Sequence, residues 1–196
     1  MNNVDICNLA LSYLGAATIG SFDEANENAR QCKLHYDAQR QALLRDYNWG
    51  FARRITDLAP LDTTVPGWAY AYRYPSKCIA VRRVFDPEDI DLKRATSEYS
   101  MCILDEANKV LLSDVANAKC EYTYDITNAN LFPGAFADAL ARAMAAAMAI
   151  AITGSESKQQ AQYQLLQVQL NKSHVAVAKE QSYEQVYPDR YIRARG

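Results

Sequence analysis

Apolar positions recur in two rhythms along this chain, a helical one towards both ends and a strand-like one in the middle. Ile6, Leu9, Ala10, Tyr13 and Leu14 follow the i, i+3, i+4, i+7, i+8 spacing of one helix face, and Gly15 supplies a stop. Ser21 and Glu24 have the form of a capping box, so a second helix is predicted from there through Ala25, Ala29, Cys32, Tyr36 and Leu43 to Tyr47. Pro133 suits the first turn of a third helix, in which Phe136, Leu140, Met144, Met148 and Ile152 form a stripe on an alanine-rich background. Thr153-Gly154-Ser155 closes it and opens a fourth, predicted over residues 156–183 with Leu165, Leu166, Val168, Leu170, Val175 and Val177 among glutamines. The last two helices are expected to pair as an antiparallel hairpin.

Between the helical halves the pattern changes. Residues 48–67 carry Pro60, Pro66 and threonines and read as a connecting loop pinned by Trp49 and Phe51. Short β-type runs follow at 69–74, 79–85, 100–104, 110–112 and 120–124, separated by Pro, Asp and Asn. The expected fold class is mainly α with a β insert (α+β): a four-helix bundle with a small antiparallel β-sheet between helices two and three, and an extended C-terminal tail. Residues 1–48 and 131–184 would form the bundle core, 49–130 the loop and β-rich insert, and 185–196 a docking tail.

Composition narrows the function classes. The formal net charge of -2 balances 21 basic against 23 acidic residues, so no global basic field draws the chain to nucleic acid or an anionic membrane. Five cysteines at Cys7, Cys32, Cys78, Cys102 and Cys120 have no CxxC spacing and lie in apolar or helical stretches, as reduced packing residues do. Residues 1–7 lack both a basic region and an apolar core, so no secretory signal is expected. The most apolar tract, 143–152, is shorter than the ~20 residues that span a bilayer. The chain is expected to be made and assembled in a cytoplasm, with no membrane partner.

Candidate chemistry is sparse. Cys32, His35 and Asp37 lie close together, but a thiol–imidazole pair needs an orienting group and an oxyanion donor, and the other histidine, His174, is distant in sequence. A packed cysteine and a surface histidine are the expectation. The acids Asp86, Glu88, Asp89 and Asp91 lack the ligand and glycine pattern of an EF-hand and read as a solvated turn. Trp49, Phe51 and Trp68, near Arg53 and Arg54, have the chemistry of a stacking platform for single strands, although aromatics at a helix end more often plug a core. Arg82 and Arg83 alternate on a strand, so one of them is a candidate for a subunit contact or a lumen. No phosphate-binding, nucleophile-elbow or zinc-protease motif is present, so no enzyme, cofactor or metal is expected.

The final segment differs. Tyr187, Pro188, Asp189, Arg190, Tyr191, Ile192, Arg193 and Arg195 combine aromatic anchors with guanidinium forks on a stretch too short and proline-broken to pack by itself. Such side chains are enriched at interface hot spots, and a segment that orders on binding can wrap a partner.

The run Tyr-Asp-Ala-Gln-Arg-Gln-Ala-Leu-Leu-Arg-Asp-Tyr-Asn-Trp-Gly-Phe-Ala at 36–52 follows the amphipathic Asn-Leu-Ala-Leu-Ser-Tyr-Leu-Gly at 8–15, and Tyr-Arg-Tyr-Pro-Ser-Lys-Cys-Ile-Ala-Val-Arg-Arg-Val stands at 72–84. This order resembles the head-to-tail adaptor proteins of short-tailed double-stranded DNA phages, the tail tubular protein A family. The likeness is strongest over 5–52 and 68–85. It implies a structural virion protein assembled as a dodecameric ring at the head–tail junction. Its partners would be the portal protein on one side and the tail nozzle or other tail proteins on the other. Double-stranded DNA would pass through the channel without sequence-specific binding. Residues 185–196 take the place of the portal-binding tail by position, not by shared motif. Two rivals are a stand-alone intracellular protein-binding domain and a tail-associated hydrolase of envelope polymers; the second would need a carboxylate pair in a cleft, with Glu98, Asp105 and Glu106 as candidates.

Overall fold

The computed structural model describes residues 1–92, 94–105 and 108–180. Helix α1 (Asn3–Leu14) opens on a reciprocal capping box between Asn2 and Asp5 and ends at Gly15, whose φ of 71° is left-handed. Helix α2 (Glu27–Asp46) begins later than the Ser21–Glu24 pattern predicts, because its first turn is capped by Asn26, whose side chain accepts from the backbone N–H of Ala29. The Glu24 carboxylate instead accepts from the N–H groups of Gly20 and Ser21 and closes a turn. Those two bonds and one from the Asn26 amide hold the Glu24 carboxyl below the usual carboxylate range.

Helix α3 (Gly134–Thr153) ends on the left-handed Gly154, and α4 (Glu156–Glu180) turns back along it. The stripe read from the sequence understates α3. Alanines fill the remaining faces, and Phe136, Ala139, Leu140, Ala141, Met144, Ala145, Met148 and Ala149 are all fully buried. A helix apolar all round belongs at a centre, and α1, α2 and α4 each pack on α3. The 20-residue α3 is long and apolar enough to cross a bilayer by length and composition, longer than the 143–152 tract suggests; 61% of that span is buried inside the fold. Polar ties fix the helices to one another. Tyr13 donates to Asp138 at 2.6 Å, while Lys158 at the start of α4 donates to the Leu14 carbonyl that α1 leaves open.

Among the described residues, seven strands lie between α2 and α3. They are β1 (Arg53–Asp57), β2 (Pro60–Leu61), β3 (Tyr70–Arg73), β4 (Cys78–Phe85), β5 (Tyr99–Asp105), β6 (Asn108–Ser113) and β7 (Lys119–Tyr124). All pairings are antiparallel, and they make two sheets, ordered β1-β7-β4 and β2-β3-β6-β5. The expectation of a four-helix bundle with a small insert is therefore corrected: four helices are joined by seven strands, at 45% helix and 23% strand. The physical reason is that residues 49–130 bury apolar cores of their own. Tyr72 and Leu111 of the four-stranded sheet pack with Val84, Cys120 and Tyr122 of the three-stranded one. The far face of the larger sheet, with Ala71, Val110 and Leu112, is covered by Leu61, Val65 and Trp68. Residues 48–67, expected as a loop, contribute β1 and β2.

Strand β4 belongs to both halves of the molecule. Register shifts at Cys78/Ala80 and Val81/Arg83 break its simple alternation. As a result Cys78, Val81 and Val84 join the inter-sheet core, whereas Ile79 joins the helical core and Arg82 points to α2. The Arg82 guanidinium donates to the carbonyls of Leu44, Arg45 and Tyr47 at 2.8–2.9 Å and to Thr123 Oγ1 at 2.8 Å. Tyr47 is extended, so α2 has no left-handed cap, and Arg82 meets its orphan carbonyls and the negative end of its dipole. Arg82→Ala is expected to destabilise the fold by about 2 kcal/mol by leaving those carbonyls without a charged donor; a urea midpoint within error of the parent would contradict this.

Candidate assembly surfaces

The motifs that carry the family resemblance are structural in this fold. Of the helix sequence Tyr-Asp-x-x-Arg, Tyr36 is buried against Phe22, and Arg40 is 2% exposed. Arg40 binds Asp37 one turn back, the Asp125 carboxylate and the Ile126 carbonyl (2.8 Å) just beyond β7, clamping α2 to the end of the sheet. Trp49 and Phe51 close the helical core rather than offering a platform. Trp49 Nε1 donates to the Leu43 carbonyl at 3.0 Å, and both rings meet Phe136 edge-on at 5.0 Å. Trp68 covers the outer face of the larger sheet.

The remaining candidates fall apart in space or are absorbed by packing. Cys32 is fully buried in the helical core with Cys7 of α1, and both thiols are free; His35 is half-buried and Asp37 exposed. Hydrogen bonding to Cys32 and burial push the Cys7 thiol far above its ordinary range. Burial likewise raises Cys120 to about 12. Among the described residues no group of three or more His, Cys, Asp or Glu side chains is placed to hold a metal ion.

The acidic run after β4 folds on its own backbone: Asp86 accepts from the Glu88 N–H at 2.8 Å and Asp89 from the Asp91 N–H at 3.3 Å. Arg82 and Arg83, each a candidate for a subunit contact or lumen, are engaged within the chain. Arg83 pairs with the buried Glu121 at 2.8 Å and donates to the carbonyls of Leu92 and Ala95. Of the carboxylates weighed for a hydrolase, Glu98 is exposed, Asp105 ends β5 and Glu106 lies outside the described residues. The tail residues Tyr187, Pro188, Asp189, Arg190, Tyr191, Ile192, Arg193 and Arg195 lie outside them too.

Two apolar surfaces were not singled out from the sequence. Among the described residues strand β5 pairs only with β6 and forms the edge of its sheet, and it exposes Met101, Ile103 and Leu104, with Ile103 at 72%. An apolar strand edge is a template for another chain. On the helical side, Ile150 of α3 and Tyr163, Leu165 and Val168 of α4 are exposed, while Leu166 and Leu170 take the buried face of α4. One open groove is lined by Phe22, Asp23, Glu24, Asn26, Arg30 and Lys33. The signal available in the sequence was the apolar run Met101-Cys-Ile-Leu, longer than a half-buried strand requires. No family model matches the chain, and no curated protein matches it.

Proposed function

We propose that this chain is a structural head-to-tail adaptor, a non-enzymatic virion protein whose copies close into a ring between portal and tail nozzle around a channel for double-stranded DNA. The observation that supports it best is the pair of unlike apolar surfaces, a strand edge on β5 and the outer side of the α3–α4 hairpin. A ring needs a heterologous contact, in which one patch of each protomer meets a different patch of the next. In this reading residues 185–196 dock on the portal, with Tyr187 and Tyr191 as anchors and Arg190, Arg193 and Arg195 as forks for carboxylates.

The test is native mass determination of the full chain alone and mixed with its candidate portal ring. A stoichiometric complex with the portal is expected, and removal of residues 185–196 is expected to abolish it while the helical signal of the domain persists. A monomer or dimer that ignores the portal would move the assignment to a stand-alone binding domain. Unchanged portal affinity of the truncated chain would remove the docking role of the tail.

A further inference from the structure

Most arginines of the described chain are neutralised by a carboxylate or engaged with backbone carbonyls, but Arg73 and a further group of cations are not. Arg54 on β1, Lys77 at the turn before β4, Lys109 on β6 and Arg45 at the end of α2 are all exposed, and none has a carboxylate at ion-pair distance among the described residues. Three of them, from separate parts of the chain, converge on two tyrosines. The Arg54 guanidinium carbon lies 3.5 Å from the centre of the Tyr124 ring, and Lys77 Nζ lies 6.0 Å from the same centre. Lys109 Nζ stands 4.0 Å from the centre of the Tyr74 ring. The two rings are neighbours through Cys78, whose Sγ donates to Tyr74 Oη at 3.3 Å and which sits opposite Tyr124 in the β4–β7 ladder. Arg45 closes α2 against β4, where its carbonyl accepts from Arg82 at 2.9 Å, and its charge opposes the upward push of burial on Tyr74 and Cys78. Of the acids adjacent in sequence, Asp125 is held by Arg40, and Asp46, next to Arg45, is exposed.

We propose that Arg45, Arg54, Lys77 and Lys109, set around Tyr74 and Tyr124, form a contact surface for the phosphate backbone of nucleic acid. Uncompensated cations side by side repel one another, and a polyanion relieves that repulsion by replacing their counterions. Cations spread over separate parts of the chain and held by ring faces without being neutralised suit the closely spaced charges of a phosphate backbone. The side chains are too few and too flexible to read base edges, so contact is sequence-independent. This deepens the adaptor reading, on which the choice of duplex DNA as the polyanion rests, by assigning the face a protomer turns towards the genome.

The test is the binding of the full chain to a short labelled duplex of arbitrary sequence, followed by anisotropy across a salt series. Arg54→Gln/Lys77→Gln is expected to weaken binding about tenfold at low salt and to reduce the slope of log affinity against log salt by about two, one for each phosphate no longer neutralised. Arg30→Gln/Lys33→Gln, which removes the same charge from two ion-paired residues on the first half of α2, is expected to change neither. Lys109→Gln/Arg45→Gln is expected to repeat the first result. Equal losses in all three variants, or no loss in the first, would overturn the proposal. Unchanged duplex affinity with an altered native mass would assign the patch to a subunit contact and overturn it too. Portal binding is read separately: a portal complex with an unresponsive duplex sinks this inference alone, and a responsive duplex with no portal complex sinks the adaptor reading alone.

Discussion

Replacement of Arg40 by leucine is expected to lower stability by about 3–5 kcal/mol, the range for breaking a buried ion pair by removing one member. Three features place it there. The guanidinium is 2% exposed, so its charge is met by protein groups and not by water. Asp125 is itself only 21% exposed and would keep a charge with its strongest counter-charge gone. The Ile126 carbonyl would lose its donor as well. Asp37, at 76% exposed, contributes little, because water screens that pair. Arg40→Lys retains the charge but not the fork that meets Asp37, Asp125 and Ile126 together, and about half of the loss is expected to remain. Urea denaturation of the parent and both variants measures this; a leucine variant within about 1 kcal/mol of the parent would show that the clamp is dispensable. Because Arg40 joins α2 to the segment after β7, its loss should loosen the two halves together, with far-UV and tyrosine signals moving in one transition.

Phe136→Ala carries an effect of similar size by a different mechanism. The ring is fully buried where Trp49, Phe51 and Phe132 meet, with centroids at 5.0, 5.0 and 4.8 Å in edge-to-face arrangement. Alanine is the best helix former, so α3 itself would not suffer. The cost comes from the cavity and from removal of the edge-to-face ring packing, about 3–5 kcal/mol. Phe136→Leu, which fills much of the space, is expected to recover more than half of it. Thermal unfolding with tryptophan emission as the probe tests both points, since Trp49 lines the cavity. An alanine variant that unfolds with the parent would mean that the neighbouring rings collapse into the gap without penalty.

Much of the fold was legible because periodicity reports directly on which side chains are buried. The i, i+4 stripe located α3, the glycines at 15 and 154 marked helix ends by their left-handed conformation, and the five apolar runs after Trp68 fell on β3 to β7. The start of α2 was misplaced because Ser21 and Glu24 satisfy the capping-box pattern with a turn, whereas Asn26 makes the bond that starts the helix. Strand β1 escaped because its sequence, Arg-Arg-Ile-Thr-Asp, lies at an edge with its side chains largely exposed and has no apolar alternation to read.

The candidate surfaces were less legible than the scaffold. Arg82 and Arg83 looked equivalent on an alternating strand, yet two register shifts send one to the end of α2 and the other to Glu121. Conversely, Arg45, Arg54, Lys77 and Lys109 lie far apart in the chain, and no spacing rule links a helix end, two strands and a turn.

The sequence by itself determined the helices, their stops, most of the strands and the aromatic plug, because each depends on neighbours within a few residues or on one face being apolar. Only the tertiary structure decided that the described strands divide into two sheets, that β4 serves both cores, that β5 is left with an open apolar edge and that cations from separate parts of the chain meet on the Tyr74 and Tyr124 rings. Those outcomes depend on pairing between segments distant in the chain, where the choice among partners is made by the burial of whole faces and leaves no local pattern behind.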